Sequence, residues 1–419
     1  MIQKYFKKKI RIKIINFFKF IINEFPNYST LLYNISRFFP FNKVIKVYKF
    51  EYFSNLPGYK IIVNAKQTEN YSFIDIDTDT HHSVEKNLKG IGYVEVYHCS
   101  VIAGSEFLFK NSIAYIQNYS FKSHINNFKI ANFKGSIDNN EHCILTRKIN
   151  VAKKQLNKVI YLSGTYDQNW YHWLIEILPK LFLIKEKIKK YEDYEVVISE
   201  NIFNSSTHLE SLKLFTSINK IITIDPRYLY EAKQVVFIES ASISNRARKR
   251  MFNHSLMDGN FHSSIVKSYK RYIEKKLIKQ KSSNPERIYL YRNQNKRKFN
   301  QKEIIGTLKK YDFEVIDLLK LSFKEQVQLF YDSKIIVGVT GAAWTNITFC
   351  QRSAIGLLFC PSSVKWSSAF ANLASLSDMK LYQQDLKIPE DHWQAYMKSN
   401  KEASVDIKQL ENNLKKIMY

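Results

Sequence analysis

The chain contains 419 residues, of which 45% are hydrophobic and 24% charged, a composition typical of folded globular proteins and not of disordered ones. Its 11 glycines exclude collagen-like and glycine-rich architectures, and its length suits about two or three domains. The formal net charge of +26 favours an anionic partner: nucleic acid, an anionic membrane surface or a phosphorylated small molecule. The codon bias of an AT-rich genome is a second explanation of the lysine excess. Four cysteines without a CxxC pair exclude a disulfide scaffold and indicate a reducing cytoplasm.

Residues 1–22 form a basic amphipathic pattern with no acidic residue before Glu24. Apolar residues recur at helical spacing, at Phe6, Ile10, Ile14, Phe17 and Ile21. The pattern predicts a helix suited to an anionic membrane surface, and the alternative is a helix that packs on the protein's own core. Polar residues interrupt the apolar part, which argues against a signal peptide, and no run reaches the roughly 18 apolar residues of a transmembrane helix.

Residues 23–155 are predicted to be rich in short strands, which are separated by turns containing Asn, Asp and Ser. The clearest strands are Tyr59–Val63, Gly92–Tyr97 and Ser112–Ile116. No motif in this region indicates a particular chemistry.

From residue 156 the pattern changes to alternating strands and helices, and the first set covers residues 156–280. Its predicted strands are Val159–Leu162, Glu195–Ser199, Lys220–Ile224 and Val235–Glu239. Its predicted helices are Trp170–Lys190, with a kink at Pro179, His208–Ser217 and Ser263–Gln280. The polar run Lys281–Pro285 is the predicted boundary.

A second alternating set covers residues 285–390, and a helical segment, 391–419, ends the chain. The predicted strands are Arg287–Arg292, Phe313–Ile316, Lys334–Val339 and Ile355–Phe359. The predicted helices are Gln301–Tyr311, Ser322–Tyr331, Gly341–Phe349, Trp366–Leu376 and Val405–Ile417. Ser322 and Glu325 have the spacing of a capping box. The alternation predicts an α/β fold with two Rossmann-like domains that face a cleft.

The chain has neither the GxGxxG dinucleotide fingerprint nor the GxxxxGK[ST] phosphate loop, which disfavours NAD enzymes and P-loop NTPases. Open α/β sheets bind ligands beyond the carboxyl ends of their strands, and three such strand ends carry polar residues.

The first strand end leads into the predicted helix at Trp170. His172 and Glu176 are four residues apart and share one helical face. One of them can therefore take a proton from a hydroxyl, and the other can orient that base. Asp167, Asn169, Trp170 and Trp173 are candidates for acceptor binding or for stacking on a sugar ring. The alternative is an amphipathic helix in which these polar groups make only buried structural contacts.

The other two strand ends suit an anion. Arg292 and Arg297 can donate to phosphate oxygens, although a solvated basic loop is the alternative. Gly341 and Ala342 allow a ligand close to backbone N–H groups at the start of a helix, and Thr345 and Asn346 offer hydrogen bonds. The alternative for this segment is a tight turn packed by small residues.

In this order, these segments resemble glycosyltransferase family 61. The resemblance covers residues 155–385 and is carried by four motifs. They are Asn-Trp-Tyr-His-Trp-Leu-Ile-Glu-Ile-Leu-Pro-Lys at 169–180, Tyr291-Arg292 with Arg297 and Asn300, Leu-Ser-Phe-Lys-Glu-Gln-Val-Gln-Leu-Phe at 321–330, and Val-Gly-Val-Thr-Gly-Ala-Ala-Trp-Thr-Asn at 337–346.

The resemblance implies a GT-B architecture and an inverting transfer from a nucleotide-sugar donor without an obligatory metal or other cofactor. Residues 156–280 would form the acceptor side and residues 285–390 the donor side. His172 and Glu176 match the catalytic His and acid of the family. The expected donor-binding residues are Arg292, Arg297, Glu325, Gln326, Thr340, Gly341, Ala342, Thr345 and Asn346.

Two positions depart from the family pattern. Thr340 stands where the family usually has His before the Gly-Ala turn, and Gln301 stands where it often has Glu after Asn300. A relative without catalytic activity is therefore a further possibility to test.

The expected function is sugar transfer to a growing surface glycan, such as capsule, O-antigen or lipopolysaccharide. The donor expected first is a UDP-sugar, and the acceptor is a glycan or lipid-linked glycan. The basic N-terminal helix adds the expectation of a bacterial peripheral enzyme on the cytoplasmic face of the membrane. The alternatives are an inactive membrane-surface scaffold for polysaccharide assembly and a basic nucleic-acid-binding protein; no nucleic-acid partner is expected, because no known binding signature is present.

Overall fold

The structure is a computed structural model, and it describes residues 10, 12–21, 45–76, 79–117, 134, 136–139, 143–188, 191–244, 259–278, 283–293, 297–362, 368–390 and 393–418. Residues 1–9, 11 and 22 of the predicted amphipathic helix and the start of the strand-rich region lie outside the described residues. So do residues 189–190, 279–280 and 366–367 of predicted helices and Lys281 and Ser282 of the predicted boundary. The fold is mixed α/β.

Strands run through most of the described chain. In chain order they are β1 (Ile45–Tyr52), β2 (Lys60–Val63), β3 (Lys66–Asp75), β4 (Thr80–Leu88), β5 (Ile91–Val101), β6 (Leu108–Lys110), β7 (Ile113–Ile116), β8 (Ser136–Asn139), β9 (Cys143–Arg147), β10 (Asn150–Val151), β11 (Leu156–Tyr161), β12 (Glu195–Ser199), β13 (Ile221–Ile224), β14 (Tyr228–Ile238), β15 (Ser242–Ser244), β16 (Gly259–Phe261), β17 (Arg287–Leu290), β18 (Lys298–Phe299), β19 (Glu314–Ile316), β20 (Ile335–Val339), β21 (Ile355–Cys360), β22 (Lys380–Asp385) and β23 (Glu402–Ala403).

The helices cover and connect these strands. They are α1 (12–21), α2 (170–188), α3 (Glu200–Phe203), α4 (Ser206–Lys213), α5 (Ser263–Leu277), α6 (Gln301–Lys309), α7 (Phe323–Asp332), α8 (Ser368–Leu376), α9 (Trp393–Tyr396) and α10 (Ile407–Met418). A 3₁₀ helix, Ala342–Phe349, follows β20, and shorter 3₁₀ turns occur at Phe53–Asn55, Ile218–Lys220 and Leu318–Lys320. None of the helices in the described ranges has the length and apolarity needed to span a membrane.

Two large sheets organise the fold. In the first, β13, β12, β11 and β14 lie parallel in that order, and β14 pairs antiparallel with β5. The sheet then continues through β6, β7, β1, β9 and β8. In the second sheet the order is β19-β17-β20-β21-β22-β3-β4, and every pair except β3 with β4 is parallel.

Strands that precede residue 155 extend both sheets. Strand β5 pairs with β14 of the first sheet, whereas β3 pairs with β22 of the second. The expectation of short strands in this region is confirmed, and the pairing shows that they form no layer apart from the sheets within the described residues. Parallel strands buried on both faces read as continuous apolar runs, which is why β12, β20 and the second half of β11 were visible in the sequence.

One apolar cluster joins the helices that pack against the two sheets. It contains Trp173 and Leu178 of α2, Tyr269 of α5, Val327 of α7 and Trp344 of the 3₁₀ helix, all at 0% exposure. These helices therefore share one core.

Helix α2 contains two π-helical stretches, His172–Ile177 and Ile184–Ile188, around the α-helical segment Leu178–Leu183. Pro179 lies at the start of that α-helical segment, where a missing N–H costs least. The predicted helix is confirmed, and the irregularity expected at Pro179 takes the form of a π-helical turn before it. Such turns often occur at functional sites.

Helix α1 packs on the protein's own core, as the alternative interpretation expected. Phe18 is fully buried in a cluster with Val47, Cys143 and Leu145. Phe17 and Phe20 are 51% and 55% exposed. The packed face is therefore centred on Phe18, and the outer face retains large apolar side chains.

Candidate functional site

The second and third predicted segments meet because β17 and β20 are parallel neighbours. Arg292 follows the carboxyl end of β17, and Thr340 and Gly341 follow that of β20. Arg292 Nη1 donates to the backbone carbonyl oxygen of Thr340 at 3.2 Å, and Arg297 Nη1 lies 3.4 Å from the same oxygen as a second donor. Two guanidinium groups are thus gathered at one carbonyl beside the Gly-Ala turn.

The arginine pair is partly buried, and it carries no salt bridge to a carboxylate of the described residues. Burial lowers the pKa of Arg292, and burial together with the charge of Arg292 lowers the pKa of Arg297 to about 10. Arg297 also lies over the ring of Trp393, 5.0 Å from its centroid. Two like charges held close together in a partly buried place form a site that an anion would stabilise.

Gln301 holds the backbone of Arg292, a role that the sequence analysis missed. Its Oε1 accepts the N–H of Arg292 at 3.1 Å, and its Nε2 donates to the carbonyl oxygen of Arg292 at the same distance. Tyr289 also donates its hydroxyl to Oε1, at 3.2 Å. An ionised carboxylate can only accept, so the departure from Glu to Gln allows this two-way bond.

Gly341 is required by the close approach of Arg292. Its φ of 163° is ordinary extended backbone, but a Cβ at this position would lie 2.5 Å from Arg292 Nη1. Ala342 follows as the first residue of the 3₁₀ helix. The small residues of this turn therefore leave room for the Arg292 side chain as well as for a ligand.

If the arginine pair binds the nucleotide-sugar diphosphate expected from the sequence, Gly341→Ala should displace the Arg292 guanidinium and weaken nucleoside diphosphate binding by about tenfold. The free energy of unfolding should change by less than about 1 kcal/mol, because the displaced atom is the end of a flexible side chain. Titration calorimetry with UDP and urea unfolding measure the two effects. Gly306→Ala is the matched control, since nothing lies within 4 Å of a Cβ there, and an equal loss of affinity in both variants would contradict the prediction.

His172 and Glu176 form a hydrogen-bonded pair at the start of α2. His172 Nδ1 lies 2.7 Å from Glu176 Oε2, and the two side chains are 16% and 4% exposed. Ser240 Oγ donates to the backbone carbonyl of Glu176 at 2.5 Å, and the ring of Tyr166 stacks on that of His172 at 5.5 Å. The carboxylate is behind the imidazole, which is the arrangement of a base with an orienting partner.

A chain of hydrogen bonds joins the first turn of α2 to the helices of the second sheet. Trp170 Nε1 donates to Asn346 Oδ1 at 2.9 Å, and Asn346 Nδ2 donates to Gln326 Oε1 at 3.0 Å. Gln326 in turn donates to the carbonyls of Leu318 and Leu321. Asn346 and Gln326, both predicted donor ligands, are used here to join α2 to the second sheet's helices.

Several other predicted site residues are buried or make hydrogen bonds within the protein. The Glu325 carboxylate accepts from the N–H and hydroxyl of Ser322, so it forms the predicted capping box. Thr345 is buried, and its hydroxyl has no hydrogen-bond partner in the described part of the chain. Asn169 Oδ1 accepts the N–H of Tyr171 and caps α2. Trp173 is 0% exposed and donates its indole N–H to Ser211, so its ring offers no face to a sugar in this structure.

Asp167 is also buried, beneath the turn that precedes α2. Its Oδ2 accepts the hydroxyl of Ser163 at 2.9 Å, and that hydroxyl oxygen accepts the N–H of Gly104. Burial raises the pKa of Asp167 to about 6, although its hydrogen bonds favour ionisation. The carboxyl group therefore anchors the turn.

His208, which the sequence analysis missed as a neighbour of the site, packs against the indole rings of Trp170 and Trp173, at 5.1 and 5.4 Å between ring centroids. Burial lowers its pKa from 6.5 to about 4. The unfolded chain therefore binds more protons than the folded one between these values, and stability falls as the pH falls through this window. The difference corresponds to at most about 3 kcal/mol.

His208→Gln is expected to remove this acid sensitivity. Urea unfolding at pH 7 and pH 4.5 measures it, and the wild type should lose more stability than the variant between the two pH values, by about 2 to 3 kcal/mol. Asp167 has a raised pKa and acts in the opposite direction, so the variant must be compared with the wild type rather than judged from the total slope. The same pH dependence in both proteins would contradict the assignment.

A cavity of about 320 Å³ lies elsewhere, beside the residues that precede β12 and β13. Tyr191, Tyr194, Phe215 and Lys220 are among its lining residues, and none of the predicted site residues lines it. Across the described ranges, no group of three or more His, Cys, Asp or Glu side chains is placed to hold a metal ion.

Comparison with known proteins gives one family match. The model of the family Glycosyltransferase 61 matches residues 170–356, which include α2, the arginine pair and the Gly-Ala turn. No curated protein gives a significant match. Among solved structures, the dodecameric iron-containing heptosyltransferase TibC in complex with ADP-D-β-D-heptose is similar at 10% identity over 77% of this chain and 80% of its own, with a TM-score of 0.23.

Proposed function

We propose that the chain is a member of glycosyltransferase family 61, whose model matches residues 170–356, and that it moves a sugar from a nucleotide-sugar donor to a hydroxyl of a growing surface glycan. The transfer would invert the configuration of the anomeric carbon. We expect the donor to be a UDP-sugar, and the acceptor glycan to be a capsule, O-antigen or lipopolysaccharide chain. The observation that carries the proposal is the arginine pair beside the Gly-Ala turn.

The arginine pair suits the diphosphate of the donor. As the glycosidic bond to the nucleotide breaks, negative charge grows on the leaving phosphate, and charged donors placed beforehand stabilise it. Arg292 and Arg297 supply two positive charges, and the backbone amides at the start of the 3₁₀ helix add dipoles of the same sign. Such a site can stabilise the leaving group without an obligatory metal, so we propose metal-independent transfer.

His172 is the proposed general base. The acceptor hydroxyl transfers its proton to Nε2 of His172, its oxygen bonds to the anomeric carbon, and the carbon–oxygen bond to the nucleotide breaks. Glu176 accepts from Nδ1 and stabilises the imidazolium that forms, because its carboxylate lies 2.7 Å away and is buried behind the ring. The same geometry argues against Glu176 as the group that meets the acceptor.

The two large sheets support a GT-B layout, with the acceptor side on β11–β14 and the donor side on β17–β22. Each has a parallel core, and the candidate residues follow the carboxyl ends of β11, β17 and β20. Trp170 and Asn346 connect the two sides, and so does Glu210, whose carboxylate accepts the N–H of Phe323 at 2.6 Å. We propose that the cleft is bounded on one side by these contacts and on the other by the carboxyl ends of the strands in the two sheets.

Helix α1 supports a peripheral position on the cytoplasmic face of the membrane. It is docked through Phe18, while Ile10, Phe17 and Phe20 stay about half exposed beside Lys13 and Lys19. Exposed apolar residues next to lysines suit an anionic lipid surface. Flotation with vesicles containing phosphatidylglycerol tests this, and the double variant Phe17→Ser, Phe20→Ser should float less than the wild type.

A thermal-stability panel tests the proposed activity directly. UDP, GDP, CMP, dTDP and their common sugar conjugates are each added with and without Mg²⁺ or Mn²⁺, because a ligand of the folded state raises its stability. One nucleotide class should raise the Tm without metal and should also support transfer to a glycan acceptor. Binding to vesicles without any nucleotide effect would favour the scaffold, and salt-steep binding to polynucleotides would favour the nucleic-acid alternative.

A further inference from the structure

Tyr166 has an unusual backbone conformation at the edge of the candidate site. Its φ is +65°, in the left-handed region that a bulky side chain rarely adopts, and the residue is 49% exposed. Residues are held in this region only when the surrounding structure fixes them, and such residues cluster at functional sites.

The turn around Tyr166 is fixed from both sides. Asp167 accepts the hydroxyl of Ser163, and its backbone N–H donates to the carbonyl of Gly164 at 3.2 Å. On the other side, the N–H of Asn169 donates to the carbonyl of Tyr166 at 2.7 Å. Buried groups, Ser163, Gly164 and Asp167, therefore hold one side of the strained turn and the backbone of Asn169 holds the other, and the ring of Tyr166 lies over that of His172 at the start of α2.

The ring of Tyr166 lies on His172. The two ring centroids are 5.5 Å apart with an angle of 29° between the planes, and Tyr171 contacts the same imidazole edge-on at 5.6 Å. One face of Tyr166 is thus used to orient His172, whereas about half of the residue remains exposed. The exposed part is adjacent to the proposed base.

The tryptophans that the sequence indicated for sugar stacking are used for packing. Trp173 is fully buried, and Trp170 is fixed by its bond to Asn346 and by edge contacts with His208 and Phe323. Tyr166 is the exposed aromatic residue that touches His172 in the part of the chain that the structure describes.

We propose that Tyr166 is the platform for the acceptor sugar: the apolar face of a pyranose ring stacks on its exposed ring, and this places one hydroxyl at His172. An aromatic ring gives a large apolar contact with a defined orientation, and placing the reacting groups lowers the barrier. Tyr166 then selects acceptors by the ring face they present. The inference rests on the proposed function.

Three variants test it. Tyr166→Gly removes the ring and also relieves the left-handed strain, so the variant should fold at least as stably as the wild type. Tyr166→Phe keeps the ring. His98→Gly is the matched control, because His98 is an exposed ring at a φ of +51° on β5 and is not among the site residues. The readouts are the Tm with UDP and the kcat and KM for a panel of p-nitrophenyl hexopyranoside acceptors.

Tyr166→Gly should raise the acceptor KM by about tenfold or more and should bind UDP as the wild type does. Tyr166→Phe and His98→Gly should keep the wild-type KM. An unchanged KM in Tyr166→Gly, or an equal loss in Tyr166→Phe, would overturn the platform. A wild-type protein that shows neither a UDP-dependent Tm nor transfer to any acceptor would overturn the proposed function instead, and the inference with it.

Discussion

His172→Ala is expected to reduce sugar transfer by about 100- to 10 000-fold and to leave the affinity for the nucleotide close to that of the wild type. The proton of the acceptor hydroxyl then has no base to receive it, whereas the arginine pair proposed to bind the diphosphate is untouched. Initial rates of nucleotide release at saturating donor measure the first effect, and titration calorimetry with UDP measures the second.

Glu176→Gln separates the orienting role from that of the base. The amide oxygen can still accept from Nδ1 of His172, but it lacks the charge that stabilises the imidazolium, so a smaller loss of about 10- to 100-fold is expected. His98→Ala, far from the site in sequence and on β5, serves as the control. Near-normal transfer by His172→Ala would show that the base is misassigned, and a larger loss in Glu176→Gln than in His172→Ala would exchange the two roles.

The fold could be predicted where local patterns decide it. Strand β12 and the capping box at Ser322 appear where the sequence places them, because a short apolar run and a capping spacing are local signals. Strands β3 and β4 show why the rest could not be predicted. They join the second sheet through β22, about 300 residues along the chain, and no local pattern specifies a partner at that distance.

The candidate site also has a part that local sequence patterns predict and a part that depends on distant contacts. The sequence assigned Arg292, Arg297 and the Gly341 turn to two strand ends, and parallel pairing of β17 with β20 brings both arginines to the carbonyl of Thr340. The sequence could not predict which way each side chain points or which groups it contacts. Asn346 offers an amide that suits a ligand, yet both of its ends bond to other side chains. Tyr166 carries no motif, and only its φ and its contact with His172 distinguish it.

Arg292→Ala and Arg297→Ala are each expected to weaken nucleotide binding by about 10- to 100-fold, since each removes a guanidinium group proposed to donate to the diphosphate. The Tm of the ligand-free protein, in contrast, should stay the same or rise slightly when Arg297 is replaced. Arg297 is a partly buried cation beside a second one, and burial and repulsion lower its pKa to about 10. Removing it relieves an unfavourable charge pair, so Arg297→Ala should melt at the wild-type temperature or slightly above.

This pairing of lost affinity with retained stability distinguishes a ligand site from a structural contact. The Tm of each variant is measured with and without the same UDP concentration, because at a fixed concentration the increase on binding reports the affinity of the folded state. Arg287→Ala is the control: Arg287 belongs to β17, lies 3.6 Å from Asp312 in an exposed pair, and should leave the UDP-dependent increase intact. If Arg297→Ala melted well below the wild type but kept its full response to UDP, the arginine pair would be structural and the donor diphosphate would have to bind elsewhere.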